Sequence, residues 1–214
     1  MSKVLIAVDM QRDFIDGALG SEAAQSIVKP VADYIKQCKE DGFIIITTRD
    51  EHGADFAETK EGKAFPEHCL KWEDGFMAAP EINDVIDPDN DYCICKPTFG
   101  SYDLVNLLFT LDEEEGIDEI QICGLVTDIC VLANTILIAS AFPNTPITVL
   151  GDLCAGTSEE RHHAALELMQ GMLIDVTSSS CTDCELYGVC NCPKCGKECD
   201  LDLCPENHAE FEEE

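Results

Sequence analysis

The chain has 214 residues, enough for one α/β domain with a buried core and a small appendage. Asp and Glu total 43 against 13 Lys and Arg, a formal charge of −30, so neither nucleic acid nor an anionic membrane is expected as a partner. The apolar fraction is an ordinary 45%, and no run approaches the roughly 18 apolar residues of a spanning helix.

The first apolar run, Val4 to Val8, is too short for a secretory signal and is broken by Asp9. A soluble, cytoplasmic protein is expected, in which the 14 cysteines act as thiols, metal ligands or nucleophiles rather than disulfides. That run reads as a strand. Ile27, Val28, Val31, Ala32 and Ile35 then recur at helical spacing. Phe43 to Thr48 and Tyr92 to Cys95 are the next strands, and the acidic run Asp112 to Glu115 marks a solvated helix end. Ile120 to Leu125 is a fourth strand, followed by an apolar helical run from Val131 to Ala141. After a fifth strand, Ile147 to Leu150, the segment Thr157-Ser158-Glu159-Glu160 has a capping-box pattern. It opens a helix carrying Ala164, Ala165, Leu168 and Met169, and Leu173 to Val176 is a sixth strand.

The strands are nearly continuous in apolar character and read as covered on both faces. The alternation predicts a three-layer α/β/α domain around a mostly parallel six-stranded sheet. In such sheets ligands bind outside the carboxyl ends of the strands, so chemistry is expected just after them.

Composition changes near Ser178, dividing the chain into 1–178 and a Cys-rich, acidic segment, 179–214. Cys181-x-x-Cys184 and Cys192-Pro193-Lys194-Cys195-Gly196 resemble the knuckles of a zinc ribbon. One tetrahedral zinc on Cys181, Cys184, Cys192 and Cys195 is the expectation there, with Cys190, Cys199, Cys204 and His208 as further potential ligands. A metal-sensing or interaction protein, with this segment as its working part, is an alternative of a different class.

Three strand ends carry polar residues. The first ends in Asp9-Met10-Gln11-Arg12-Asp13-Phe14, the third in Lys96, and the fourth in Gly124-Leu125-Val126-Thr127-Asp128-Ile129-Cys130. Cys130 falls in the first turn of a helix, where the macrodipole and free N–H groups favour a thiolate. Lys96 nearby would lower the thiol's pKa further, and Asp9 is placed to shuttle its proton. After the second strand come Asp50 and His52, two apart and so able to point the same way, and later His68. An Asp-His-His set with open positions suits zinc or another divalent first-row metal.

These motifs, with Asp152-Leu153-Cys154-Ala155-Gly156-Thr157, resemble the isochorismatase-like cysteine hydrolases, and within them the nicotinamidases, over roughly residues 1 to 177. The resemblance implies a catalytic triad of Asp9, Lys96 and Cys130. It implies a cis peptide at Leu125-Val126 that places the Val126 N–H beside that of Cys130 in an oxyanion hole. It further implies that Asp50, His52 and His68 hold a metal that binds the pyridine nitrogen of the substrate. Phe65 stands where the nicotinamidases commonly carry Trp, and with Phe14 it would flank the ring. The expectation is an amidohydrolase that releases ammonia from nicotinamide or a close small carboxamide through a Cys130 thioester. Alternatives are a hydrolase of another small amide or ureide, or of an isochorismatase-type substrate. A homo-oligomer is compatible with all of these.

Overall fold

The computed structural model describes residues 2–177. The cysteines assigned to a tail zinc, Cys181, Cys184, Cys192 and Cys195, lie outside the described residues. Strands β1 (Ser2–Val8), β2 (Ile44–Asp50), β3 (Tyr92–Lys96), β4 (Ile117–Leu125), β5 (Ile147–Ala155) and β6 (Asp175–Thr177) form one sheet in the order β3-β2-β1-β4-β5-β6. Every pairing is parallel. β1 is central, and Val4 to Val8 are completely or almost completely buried, as a continuous apolar run covered on both faces requires.

The connections carry helices α1 (Arg12–Ile15), α2 (Glu22–Glu40), α3 (Pro80–Asn83), α4 (Tyr102–Glu115), α5 (Leu132–Ala141) and α6 (Glu159–Gly171). The chain runs outward from β1 to β3, returns to β4 on the other side of β1, and runs outward again to β6. With right-handed crossovers this places α2 and α3, which pack together, on one face. α4 and α6, each packed against α5, take the other face with it. α2 starts where the Ser21 hydroxyl accepts from the Ala24 N–H at 3.0 Å, and it buries Ala24, Ile27, Val28, Val31, Ala32, Ile35 and Cys38 at helical spacing. Among the described residues no helix is long and apolar enough to cross a membrane.

Three local expectations need correction. β3 is an edge strand: Tyr92, Cys93 and Cys95 are exposed, and only Lys96 is fully buried. The helix start near residue 158 is not a capping box. Ser158 is the N-cap, accepting from Arg161 N at 3.2 Å, so no Glu stands at the reciprocal position. Thr157 instead bonds to Asp128 through both its N–H (2.8 Å) and its hydroxyl (2.6 Å). Leu173 belongs to the turn before β6, with φ +65° and 96% exposure; its apolar character marks no strand there.

One close approach fixes the centre of the sheet. Gly124 has φ +114°, and a Cβ there would lie 2.2 Å from the Val8 carbonyl oxygen. Only glycine lets β4 pass that close to the end of β1, next to Asp9.

Candidate active site

At the carboxyl ends of β1, β3 and β4 the structure brings together Asp9, Lys96 and Cys130. Asp9 directly follows β1 with φ +48°, an uncommon conformation that Asp tolerates better than most residues. The Lys96 ammonium lies 2.6 Å from Asp9 Oδ2, 3.6 Å from Cys130 Sγ and 3.5 Å from Asp50 Oδ1. Asp9 Oδ1 accepts from the Thr48 hydroxyl at 2.6 Å. All three residues are buried, Lys96 to within 1%. Cys130 sits in a π-helical turn, Thr127–Val131, that leads into α5. Such turns recur at functional sites. The Leu125–Val126 peptide bond is cis. Asn134, one turn into α5, fixes this corner. Its Nδ2 donates to the Cys130 carbonyl (2.8 Å) and the Phe99 carbonyl (3.1 Å), and its Oδ1 accepts from Ser101 N (3.0 Å).

Burial governs the electrostatics. It acts to lower the Lys96 pKa, yet Asp9, Cys130 and Asp50 raise it more, so the ammonium stays charged. Asp9 is lifted above the ordinary carboxylate range by burial first and Asp50 next, against the opposing pull of Lys96 and the Thr48 hydrogen bond. Cys130 is pushed well above a normal thiol by burial and by the Asp9 charge, which together outweigh Lys96. The expected bias of Lys96 and a helix N-terminus toward a thiolate is thus opposed by burial and by the Asp9 and Asp50 carboxylates.

A second cluster shares the cavity. Asp50, the last residue of β2, accepts from His52 Nε2 at 3.0 Å through Oδ2, and His68 Nε2 lies 3.4 Å from the same oxygen. Glu61 Oε1 lies 3.8 Å from His52 Nε2 and 3.6 Å from His68 Nε2. The four donor atoms all lie within 4.8 Å of one another. Ligands bound at about 2.1 Å around a tetrahedral ion sit roughly 3.4 Å apart, so this donor set fits a divalent first-row metal. His68 Nδ1 donates to the Pro66 carbonyl at 2.8 Å, which leaves Nε2 as the ring nitrogen that faces the other donor atoms. Burial acts to raise the Asp50 pKa, but the two histidines and Lys96 hold it far below the usual carboxylate range. His68 is raised: burial opposes this, and hydrogen bonding to Asp50 overrides it.

The first motif also builds the second cluster. Gln11 Nε2 donates to the Asp50 and Phe76 carbonyls (2.9 Å each), and its Oε1 accepts from Asp50 N at 2.7 Å. Asp13 Oδ2 accepts from Cys69 N at 2.7 Å, holding the bend at Cys69 (φ +48°) beside His68. The chain around His52 pairs with that around Leu70, which brings His52 and His68 together. A cavity of about 320 Å³ opens onto both clusters, with Cys130, Val126, Asp50, Glu61 and His68 among its lining. Phe14, Phe65 and Phe99 supply apolar wall, and Phe14 and Phe65 lie 5.5 and 6.5 Å, ring to ring, from His68. Among the described residues that line the cavity there is no lysine or arginine.

The pattern of the isochorismatase domain family matches residues 3–181. The chain belongs to the isochorismatase family. Within it the chain is nicotinamidase-like. It is 28% identical to the nicotinamidase/pyrazinamidase of Mycobacterium tuberculosis, across 83% of this chain and all of that one. The zinc complex of Pyrococcus horikoshii pyrazinamidase superposes with a TM-score of 0.71 at 28% identity, covering 83% of this chain and 99% of the other. The nicotinamidase/pyrazinamidase of Bacillus subtilis gives 0.74 at 25%, covering 83% and 100%.

Glu61, Asn134 and Phe99 carry no signal in a single sequence. Glu61 is one of 43 acidic residues, and only the fold sets it opposite the histidines. Gln11 and Asp13 belong to a motif singled out from the sequence, but their backbone partners at Asp50, Phe76 and Cys69 are distant along the chain.

Proposed function

We propose that this amidohydrolase of the isochorismatase family converts nicotinamide, or a close aromatic carboxamide, to the acid and ammonia through a thioester on Cys130. The observation that carries the reading is one cavity that meets the Asp9–Lys96–Cys130 cluster and the Asp50–His52–Glu61–His68 donor set together.

Cys130 Sγ attacks the amide carbon as Asp9 takes the thiol proton, and the carbonyl π electrons move to oxygen. The Cys130 and Val126 N–H groups serve as oxyanion donors; losing one such donor typically costs on the order of 100-fold in rate. The tetrahedral adduct collapses, the C–N bond breaks, and Asp9 returns its proton to the leaving nitrogen, giving ammonia and the thioester. Asp9 then deprotonates water, which adds to the thioester carbon. The C–S bond breaks, releasing the acid and restoring the thiol. Lys96 stays protonated throughout and balances whichever of Asp9 and Cys130 is the anion.

Asp50, His52, His68 and Glu61 would hold a divalent metal, with zinc as the first candidate, which supplies a Lewis-acid anchor for a ring nitrogen. Phe14 and Phe65 flank the aromatic ring. The test is ammonia release from nicotinamide by purified protein, as isolated, after chelation, and after zinc is restored. Release that falls on chelation and returns with zinc supports the reading. Metal-independent release would remove the anchor, and no release with zinc bound would remove the substrate.

A further inference from the structure

The Thr127–Val131 turn is held from below by Asn134, but its other flank is held by α6, which takes no part in the chemistry described above. Thr127, completely buried, places its hydroxyl 2.7 Å from Nδ1 of His162. His162 belongs to the first turn of α6, and its N–H donates to the Ser158 carbonyl at 2.9 Å. The neighbouring residue, Asp128, grips Thr157 just before that helix through two hydrogen bonds. The nucleophile turn and the start of α6 are therefore joined through Asp128, which also lies 3.6 Å from the Arg161 guanidinium, and through the His162 imidazole.

The approach of α6 to this corner is close. A Cβ on Gly156 would lie 2.8 Å from His162 Cβ and 3.0 Å from its Cα and N, so the glycine lets the chain pass tightly against the start of the helix that carries His162. Burial and the neighbouring His163 lower the basicity of His162, favouring a neutral ring whose Nδ1 shares a hydrogen bond with the Thr127 hydroxyl. Val126, Cys130, Gly156 and Thr157 all line the cavity, so a shift of this joint moves the nucleophile, its oxyanion donors and one wall together.

We propose that His162 is a positioning residue for the proposed hydrolysis: through Thr127 it sets the turn that carries Val126 and Cys130. The assignment rests on Cys130 as the nucleophile and is independent of which amide is cleaved.

The experiment compares wild type, His162→Ala and His162→Asn by nicotinamide turnover and by the rate at which iodoacetamide labels Cys130, read at the peptide level. The Asn amide reaches the position of Nδ1 and can accept from Thr127 in its place. His162→Ala is expected to lower kcat by about tenfold or more, the scale set by small misplacements of a reacting group, while KM stays within about twofold. Labelling of Cys130 should slow with it, and His162→Asn should recover most of both losses. Should His162→Ala fail to fold, Thr127→Val, which removes the hydroxyl alone, replaces it with the same expected loss. Unchanged kcat and labelling in His162→Ala, or equal impairment in the Asn and Ala variants, would overturn the proposal. Labelling needs no substrate, so a wild type that ignores nicotinamide would remove the proposed substrate while labelling still decides the role of His162.

Discussion

Replacing Lys96 with Met should be the most damaging single change to stability within the site. The ammonium is 1% exposed, 2.6 Å from one buried carboxylate and 3.5 Å from another. Removing one partner of a buried ion pair costs about 3–5 kcal/mol, because the remaining charge keeps its desolvation penalty and loses its compensation. For a domain of this size each kcal/mol moves Tm by about 2–4 °C, so a fall of roughly 6–20 °C is expected. The loss should also depend on pH with a defined sign. Burial already raises Asp9, and without the lysine nothing comparable opposes it. The folded variant then binds a proton that the unfolded chain releases, so its stability falls as pH rises through the raised Asp9 value. Urea denaturation of wild type and variant in chelator, at about pH 5 and about pH 8, should give the larger deficit at the higher pH. A deficit below about 1 kcal/mol, or one equal at both pH values, would refute the view of Lys96 as the counter-charge of two buried carboxylates.

Cys130→Ala should abolish ammonia release while near-UV circular dichroism and the urea midpoint stay close to wild type; residual turnover would remove the thioester. His52→Ala should lower bound zinc, measured by mass spectrometry after dialysis, and raise KM more than it lowers kcat. Thr48→Val removes the 2.6 Å hydrogen bond that favours the Asp9 anion. Asp9 then rises further, so the acidic limb of kcat/KM should move to higher pH; a limb that stays put would take the titration away from Asp9. Asn134→Ala leaves the Ser101 N–H and two carbonyls short of partners and should cost about 2–4 kcal/mol in urea unfolding.

The strands and their order of chemistry were legible because burial on both faces leaves runs such as Val4 to Val8 almost purely apolar, and a polar residue then marks the strand end. The same reasoning misjudged β3, whose exposed Tyr92, Cys93 and Cys95 have apolar character but no cover. Propensity cannot tell an edge strand from a central one; only the sheet order does. The pattern at Thr157 suited a capping box, but a tertiary bond to Asp128 claimed the threonine hydroxyl and moved the cap to Ser158. Asp50 and His52 could be read as neighbours from their spacing, but spacing alone cannot bring in His68, sixteen residues on, because that meeting depends on the pairing of His52 with Leu70. Glu61, Asn134 and His162 act through partners brought near by folding, and nothing in their local sequence marks them out.

The order of the sheet has a consequence for synthesis. β4 pairs with β1 only after the chain has gone out to β3 and come back, so the central contact closes a long loop. A growing chain that has made β1, β2 and β3 already carries Asp9, Asp50, His52, His68 and Lys96, but no Cys130. When the cysteine emerges, the Asp9 carboxylate and the Lys96 ammonium become its neighbours only as β4 docks against β1. An incomplete chain therefore lacks the arrangement on which the proposed hydrolysis rests, and that arrangement forms with the closing of the core rather than before it.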